Sequence, residues 1–217
     1  KFNPKDITSV LQSIAESWKM DSSGTVYTFV LKKDVKFHDD ACFPDGKGRN
    51  VKAADVKYSF ELACSNSPDN ANFGGTYSNR IKGANEYYEG KSAEVSGIKV
   101  LDDYTVHITL NVRSSSFLYI LAGQAGYIIP KEAVDKYLNM AHIGTGPFSF
   151  VEPSDKTGGN LVLLKNPNYH GIDTLGNRLP FLDTVIISFM PKKTDELEAF
   201  KKEELDIVIG LPAESIN

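Results

Sequence analysis

The stretch AESWKMDSSGTVYTFVLKKDVKFHDD (15–40), continued by ACFPDGKGR (41–49) and NVKAADVKYSFELA (50–63), decides how the chain is read. From 26 to 32 the residues alternate, with Tyr27, Phe29 and Leu31 on one side, the period of a half-buried strand. Asp21-Ser-Ser-Gly24 ahead of it is turn material. Residues 35–37 continue as a short second strand, so the segment reads as a hairpin-like pair. Pro44, Gly46 and Gly48 mark 39–50 as a polar loop. From Ala53 onward, Val56, Phe60, Ala63 and Cys64 fall at helical spacing with one face to bury. Asp55 in the first turn suits the helix dipole. No residue in the stretch has the look of a catalytic group, which points to a scaffold that holds something rather than transforms it.

Working outward, 65–79 is rich in Asn, Ser, Gly and Pro and reads as a long surface loop. A short helix is expected over 81–89, ended by Gly90. Val100 closes a short strand and Asp102-Asp103 turns the chain. Tyr104, Val106, Ile108 and Leu110 then alternate with Thr105, His107 and Thr109, the pattern of an antiparallel strand with one polar side. Ser114, Ser115 and Ser116 offer N-caps for a helix through Ala122, and Pro130 opens another to about Leu138. Beyond a boundary near 139–144 the texture becomes strand-rich. Strands are expected at 148–151, 161–165 and 184–189, a helix capped by Thr194 over 194–202, and a strand at 205–209. The fold class is therefore α/β, or mixed α+β.

The chain has 217 residues, 41% hydrophobic and 24% charged, with a net charge of −4. That size allows real cores, and interspersed charge without a basic face argues against a nucleic-acid partner. No apolar run is long enough to span a bilayer. KFNP has no signal-peptide pattern, and Pro212 reads as a helix start five residues before the last one, so a processed piece of a longer chain is expected. Cys42 and Cys64 are too few for a structural zinc site unless His38 joins them. They are either a disulfide, worth about 3 kcal/mol for a loop of that length, or two buried thiols.

Several motifs invite chemistry and fail on spacing. Asp39-Asp40 and Asp45-Gly46 resemble a calcium loop, but its third position falls on Ala41 or Cys42. Gly46-Lys47-Gly48-Arg49 lacks the phosphate-loop spacing and reads as a flexible cationic loop. Gly144-Thr145-Gly146 lacks a third glycine and precedes a strand, leaving a pyrophosphate no helix to meet. His38, His107, His142 and His170 are scattered. The tyrosines Tyr77, Tyr87, Tyr88, Tyr119 and Tyr127 are core or rim residues, or recognition groups that combine ring area with a directional hydroxyl.

AESWKM (15–20), YTFVLKKDVKFHD (27–39), VKAADVKYSF (51–60), GTGPF (144–148), LKNPNY (164–169) and KKEELDIV (201–208) occur in the order seen in family 5 extracellular solute-binding proteins. These are the oligopeptide, dipeptide and nickel receptors of ABC importers, and the chain resembles them over nearly its whole length. The resemblance implies a partial fold like that of type II periplasmic binding proteins. In it, 1–24 and 140–217 form part of the first lobe, 25–139 form an accessory subdomain, and the second lobe is absent. It implies a peptide or similar small solute, ABC permease subunits as partners, and a periplasmic or cell-surface location, with a lipid anchor outside this sequence. It implies no enzyme activity, cofactor, metal or nucleic acid. Tyr77, Gln124, Tyr127 and Thr145 are its candidate ligand contacts, and an oxidising compartment makes Cys42–Cys64 a disulfide candidate. His170, where the family usually has Trp, and Glu203 or Glu204, where it usually has Gly, depart from the pattern. The rival expectations are a secreted hydrolase with a split site around His38 or His142, and an interaction module with an exposed apolar patch.

Overall fold

The computed structural model describes residues 1, 3, 5, 6, 9–67, 70, 73–138, 142–151 and 160–211. Contacts divide the chain into two compact units, 1–149 with 165–181, and 150–164 with 182–217. In the first unit, β1 (Ala15–Met20) is bonded to β2 (Val26–Leu31).

The first unit is organised by a four-stranded antiparallel sheet in the order β1-β2-β4-β3, with β3 at Ile98–Asp102 and β4 at Thr105–Thr109. β1 and β2 form the hairpin, with Trp18 opposite Phe29 and Met20 opposite Tyr27. Asp21 builds the turn: its carboxylate accepts the Ser23 hydroxyl and the N–H groups of Thr25 and Val26. Gly24 supplies the positive φ of 75° that L side chains resist. The expected hairpin partner, 35–37, lies elsewhere. Phe37 N–H donates to Arg49 and Val51 N–H to Val35, so this segment makes a bridge with 49–51 rather than with β2. Sequence proximity favoured 35–37, but three residues cannot match the ladder that 15–20 offers.

Alternation sets the core. Tyr27, Phe29 and Leu31 of β2, with Val106 and Ile108 of β4, turn one sheet face inward. Helix α1 (Ala53–Ala63) buries Val56 and Phe60 in the same core and packs on β3 and β4. Its start is fixed by Asp55, which accepts the Lys52 N–H at 2.8 Å. The 65–79 segment is not simply a surface loop. It carries the short helix α2 (Phe73–Thr76), and Phe73 and Tyr77 are buried, Phe73 stacking on Tyr88. Helices α3 (Ala84–Tyr88), α4 (Phe117–Ala122) and α5 (Lys131–Tyr137) follow. Ser116 precedes α4 but makes no side-chain cap.

The second sheet has the order β5-β6-β7, at Phe148–Val151, Leu161–Lys165 and Thr184–Ile187. Helix α6 (Lys193–Lys201) follows, preceded by Lys192 rather than Thr194 as its cap residue. The strand expected at 205–209 does not form: among the described residues no strand pairs with it, and the Ile209 carbonyl instead accepts the Lys193 ammonium at 3.1 Å. Pro212, read as a helix start, lies outside the described residues, as do 139–141 of the expected boundary.

Cys42 and Cys64 are both free, which corrects the expected cross-link. Cys42 sits beside Asp40, whose carboxylate also accepts its N–H at 2.7 Å. Cys64 caps the C-terminal end of α1. Burial pushes each thiol up to about 12.

Candidate functional site

Tyr77, Gln124 and Tyr127 meet at one turn. A 3-10 turn at Gln124–Gly126 leads through Tyr127 into α5. Tyr77 is only 3% exposed, and its hydroxyl donates to the Ala125 carbonyl. Desolvation pushes that hydroxyl well above its ordinary value, so it stays protonated and keeps donating. Tyr77 thus belongs to the core, against Phe60, and offers a ligand no free surface. Gln124 is exposed, and Tyr127 is 68% exposed. Ser59 of α1, which the sequence reading passed over, reaches the far side of the turn. Its hydroxyl accepts the Ile129 N–H at 3.0 Å and donates to the Ile129 carbonyl at 3.3 Å.

Thr145 belongs to a different arrangement. It lies half-buried between Gly144 and Gly146, the two residues that His38 binds. His38 Nε2 lies 2.9 Å from the Gly146 carbonyl, and Nδ1 lies 3.5 Å from the Gly144 N–H. One nitrogen must donate and the other accept, which assigns the neutral Nε2–H tautomer. The His38 N–H also donates to the Gly144 carbonyl at 2.8 Å. Asn166 adds a second support: its side-chain amide donates to Gly146 at 2.8 Å and its N–H to Pro147 at 2.9 Å. His38 and Asn166 are both buried. The GTGPF and LKNPNY segments, widely separated in sequence, are therefore one structural device, and the pairing of a buried His with a buried Asn had no local periodic signal to reveal it.

The Gly-rich loop is fixed rather than flexible. Gly48 N–H donates to Asp39 at 2.9 Å and Lys47 pairs with the same carboxylate at 2.8 Å. A Cβ on Gly48 would meet the Phe37 carbonyl oxygen at 1.9 Å. All five Arg49 N–H groups have acceptors. Nη1 and Nη2 take Asp55, Nε and Nη2 take Glu132, and Nη1 also reaches the Asn50 carbonyl. Such a saturated guanidinium has no donor left for a phosphate. Among the described residues no group of three His, Cys, Asp or Glu could hold a metal ion. No helix among them is long and apolar enough to cross a membrane.

The architecture defines a class before it defines a family: the mixed α/β elements are those of part of a type II periplasmic binding protein. The DppA periplasmic binding protein from Helicobacter pylori, solved with peptide STSA, superposes with a TM-score of 0.72 at 27% identity, covering 91% of this chain and 37% of that one. The model for bacterial extracellular solute-binding proteins, family 5 Middle, matches residues 10–217, and the chain belongs to that family. The dipeptide-binding protein of Escherichia coli K12 is 29% identical over 93% of this chain and 36% of its own length. Heme-binding protein A of Haemophilus influenzae is 31% identical over 94% of this chain and 36% of its length. The chain thus spans about a third of the length of these curated relatives.

Proposed function

We propose that this chain is part of the substrate-binding component of an ABC importer, which captures a peptide or similar small solute outside the cytoplasmic membrane and delivers it to the permease. The observation that carries this reading is the family match over 10–217, joined to the structural likeness to a periplasmic binding protein solved with a tetrapeptide. Gln124 and Tyr127 are the contacts we assign to the solute, with Thr145 as a third. Residues 25–139 act as an accessory subdomain of one lobe, and the greater length of the relatives supplies a second lobe. Closure follows because a solute that touches both lobes favours the closed state. Binding proceeds without chemistry: both ring nitrogens of His38 serve backbone groups, which argues against a hydrolase built on that residue. A lipid anchor elsewhere in the protein would hold it at the membrane.

Isothermal titration of the whole protein with the tetrapeptide Ser-Thr-Ser-Ala and with hemin tests this. Peptide binding without cleavage is expected, and this chain alone should lose most of that affinity. Binding of hemin with no peptide binding, cleavage of the peptide, or micromolar peptide binding by residues 1–217 alone would overturn it.

A further inference from the structure

The turn that carries Gln124 and Tyr127 is held more firmly than a surface turn requires. At Gly126 an added Cβ would lie 1.9 Å from the Leu121 carbonyl oxygen, so the turn lies directly on the end of α4. One residue earlier, Ala125 receives the Tyr77 hydroxyl. One residue after Tyr127, Ile128 enters the core. Next, Ser59 bonds both polar backbone groups of Ile129, and Pro130 is fully buried. The backbone from 125 to 130 is thus fixed by packing or a hydrogen bond at every residue, Tyr127 included, whose N–H donates to the Gln124 carbonyl at 3.1 Å while the residue stands 68% exposed.

Two of these supports cost something to build. Ser59 and Tyr77 bring hydroxyls into the core, where each must find a partner or be penalised. An alanine and a phenylalanine would fill the same places without that demand. Both hydroxyls spend their bonds on the backbone flanking the exposed ring. A ring fixed beforehand binds with less loss of conformational freedom, and sites keep their geometry when a supporting shell locks them.

We propose that Ser59 and Tyr77 are positioning residues, which hold Tyr127 as a preset aromatic platform for the bound solute. The proposal rests on the reading above that Tyr127 meets the solute. The experiment uses the whole protein and the tetrapeptide Ser-Thr-Ser-Ala, with Ser59→Ala, Tyr77→Phe, Tyr127→Ala and the two double variants containing Tyr127→Ala. Tyr127→Ala should weaken binding about tenfold. Ser59→Ala and Tyr77→Phe should each weaken it about three- to tenfold alone, and less than about twofold beside Tyr127→Ala, because a preset ring that is gone cannot be mispositioned. Amide hydrogen exchange of 124–129, followed without ligand, should quicken in both single variants while the β2 and β4 amides keep their protection. Unchanged exchange at 124–129, or equal affinity losses with and without Tyr127, overturns the positioning role. Unaltered affinity in Tyr127→Ala, or no peptide binding by the wild-type protein, overturns the reading beneath it and the solute role of the platform with it.

Discussion

Arg49 grips Asp55 through two parallel N–H···O bonds of 2.8 and 2.7 Å, and the Asp55 side chain is 6% exposed. The pair joins the Gly-rich loop to the first turn of α1, and the same guanidinium holds Glu132 on α5. Arg49→Ala leaves a nearly buried carboxylate without its partner, and an unfolding free energy lower by about 3 kcal/mol is expected. Arg49→Lys keeps the charge but loses the fork, and should recover less than half of that. Urea denaturation of the three proteins measures both, and equal stability of Arg49→Ala and wild type would falsify the clamp.

Acid should loosen the same clamp. The Arg49 hydrogen bond holds the Glu132 carboxyl below its ordinary value of 4.5. A lowered folded value means that the unfolded state takes up the proton first, so the stabilisation is complete above 4.5 and lost as pH falls through the folded value. Stability plotted from pH 6 to pH 3 should decline less steeply for Glu132→Gln than for wild type. Parallel curves would remove Glu132 from the account.

The thiols respond in the opposite direction. Both stay protonated in the fold to about 12, against an ordinary 9.0. The fold gains from them below 9.0 and loses that gain as pH rises toward 12. At pH 8, Ellman's reagent should react slowly with native protein and then titrate two thiols per chain once guanidinium unfolds it without reductant. Finding no thiol under those conditions would establish the cross-link in place of the free thiols seen here.

Gly48→Ala tests whether the loop is fixed. Its Cβ would press on backbone, the Phe37 carbonyl, rather than on a side chain that can swing away. A loss of about 2 kcal/mol or more is expected, whereas Gly46→Ala meets open space and faces only the cost of its φ of 70°. Thermal unfolding that ranks Gly46→Ala below Gly48→Ala would show the loop to be yielding.

Strands with clean alternation, β2 and β4, and the amphipathic α1 were legible in the sequence because each needs only its own period. What escaped was pairing. Residues 35–37 look like a partner for β2, yet that place goes to 15–20, whose sequence AESWKM has no strict alternation and whose edge position leaves Glu16 and Lys19 outward. Phe73 and Tyr77 were hidden by the Ser, Asn and Gly around them, although two large rings in a polar segment are themselves a sign of anchoring. Of the site, Gln124, Tyr127 and Thr145 came from family likeness. Ser59 and Asn166 act on residues far along the chain, and a single small polar residue gives no period from which such a partner could be read.

The central pairing of the first sheet has a consequence for the order of assembly. β1 and β2 are joined by a short turn, but β2 meets β4 with Val26 opposite Thr109 and Val30 opposite Thr105. Closing so long an intervening segment carries an entropy cost that the hairpin avoids, and distant contacts slow folding. The hairpin should therefore exist first and wait, one edge open, until α1 and the residues after it have found their places. Pulse-labelled hydrogen exchange during refolding should protect the amides that β1 and β2 share before those of His107 and Thr109. Until then the exposed edge of β2 is where a second unfolded chain could attach, so the yield of refolded protein is set by the arrival of β4.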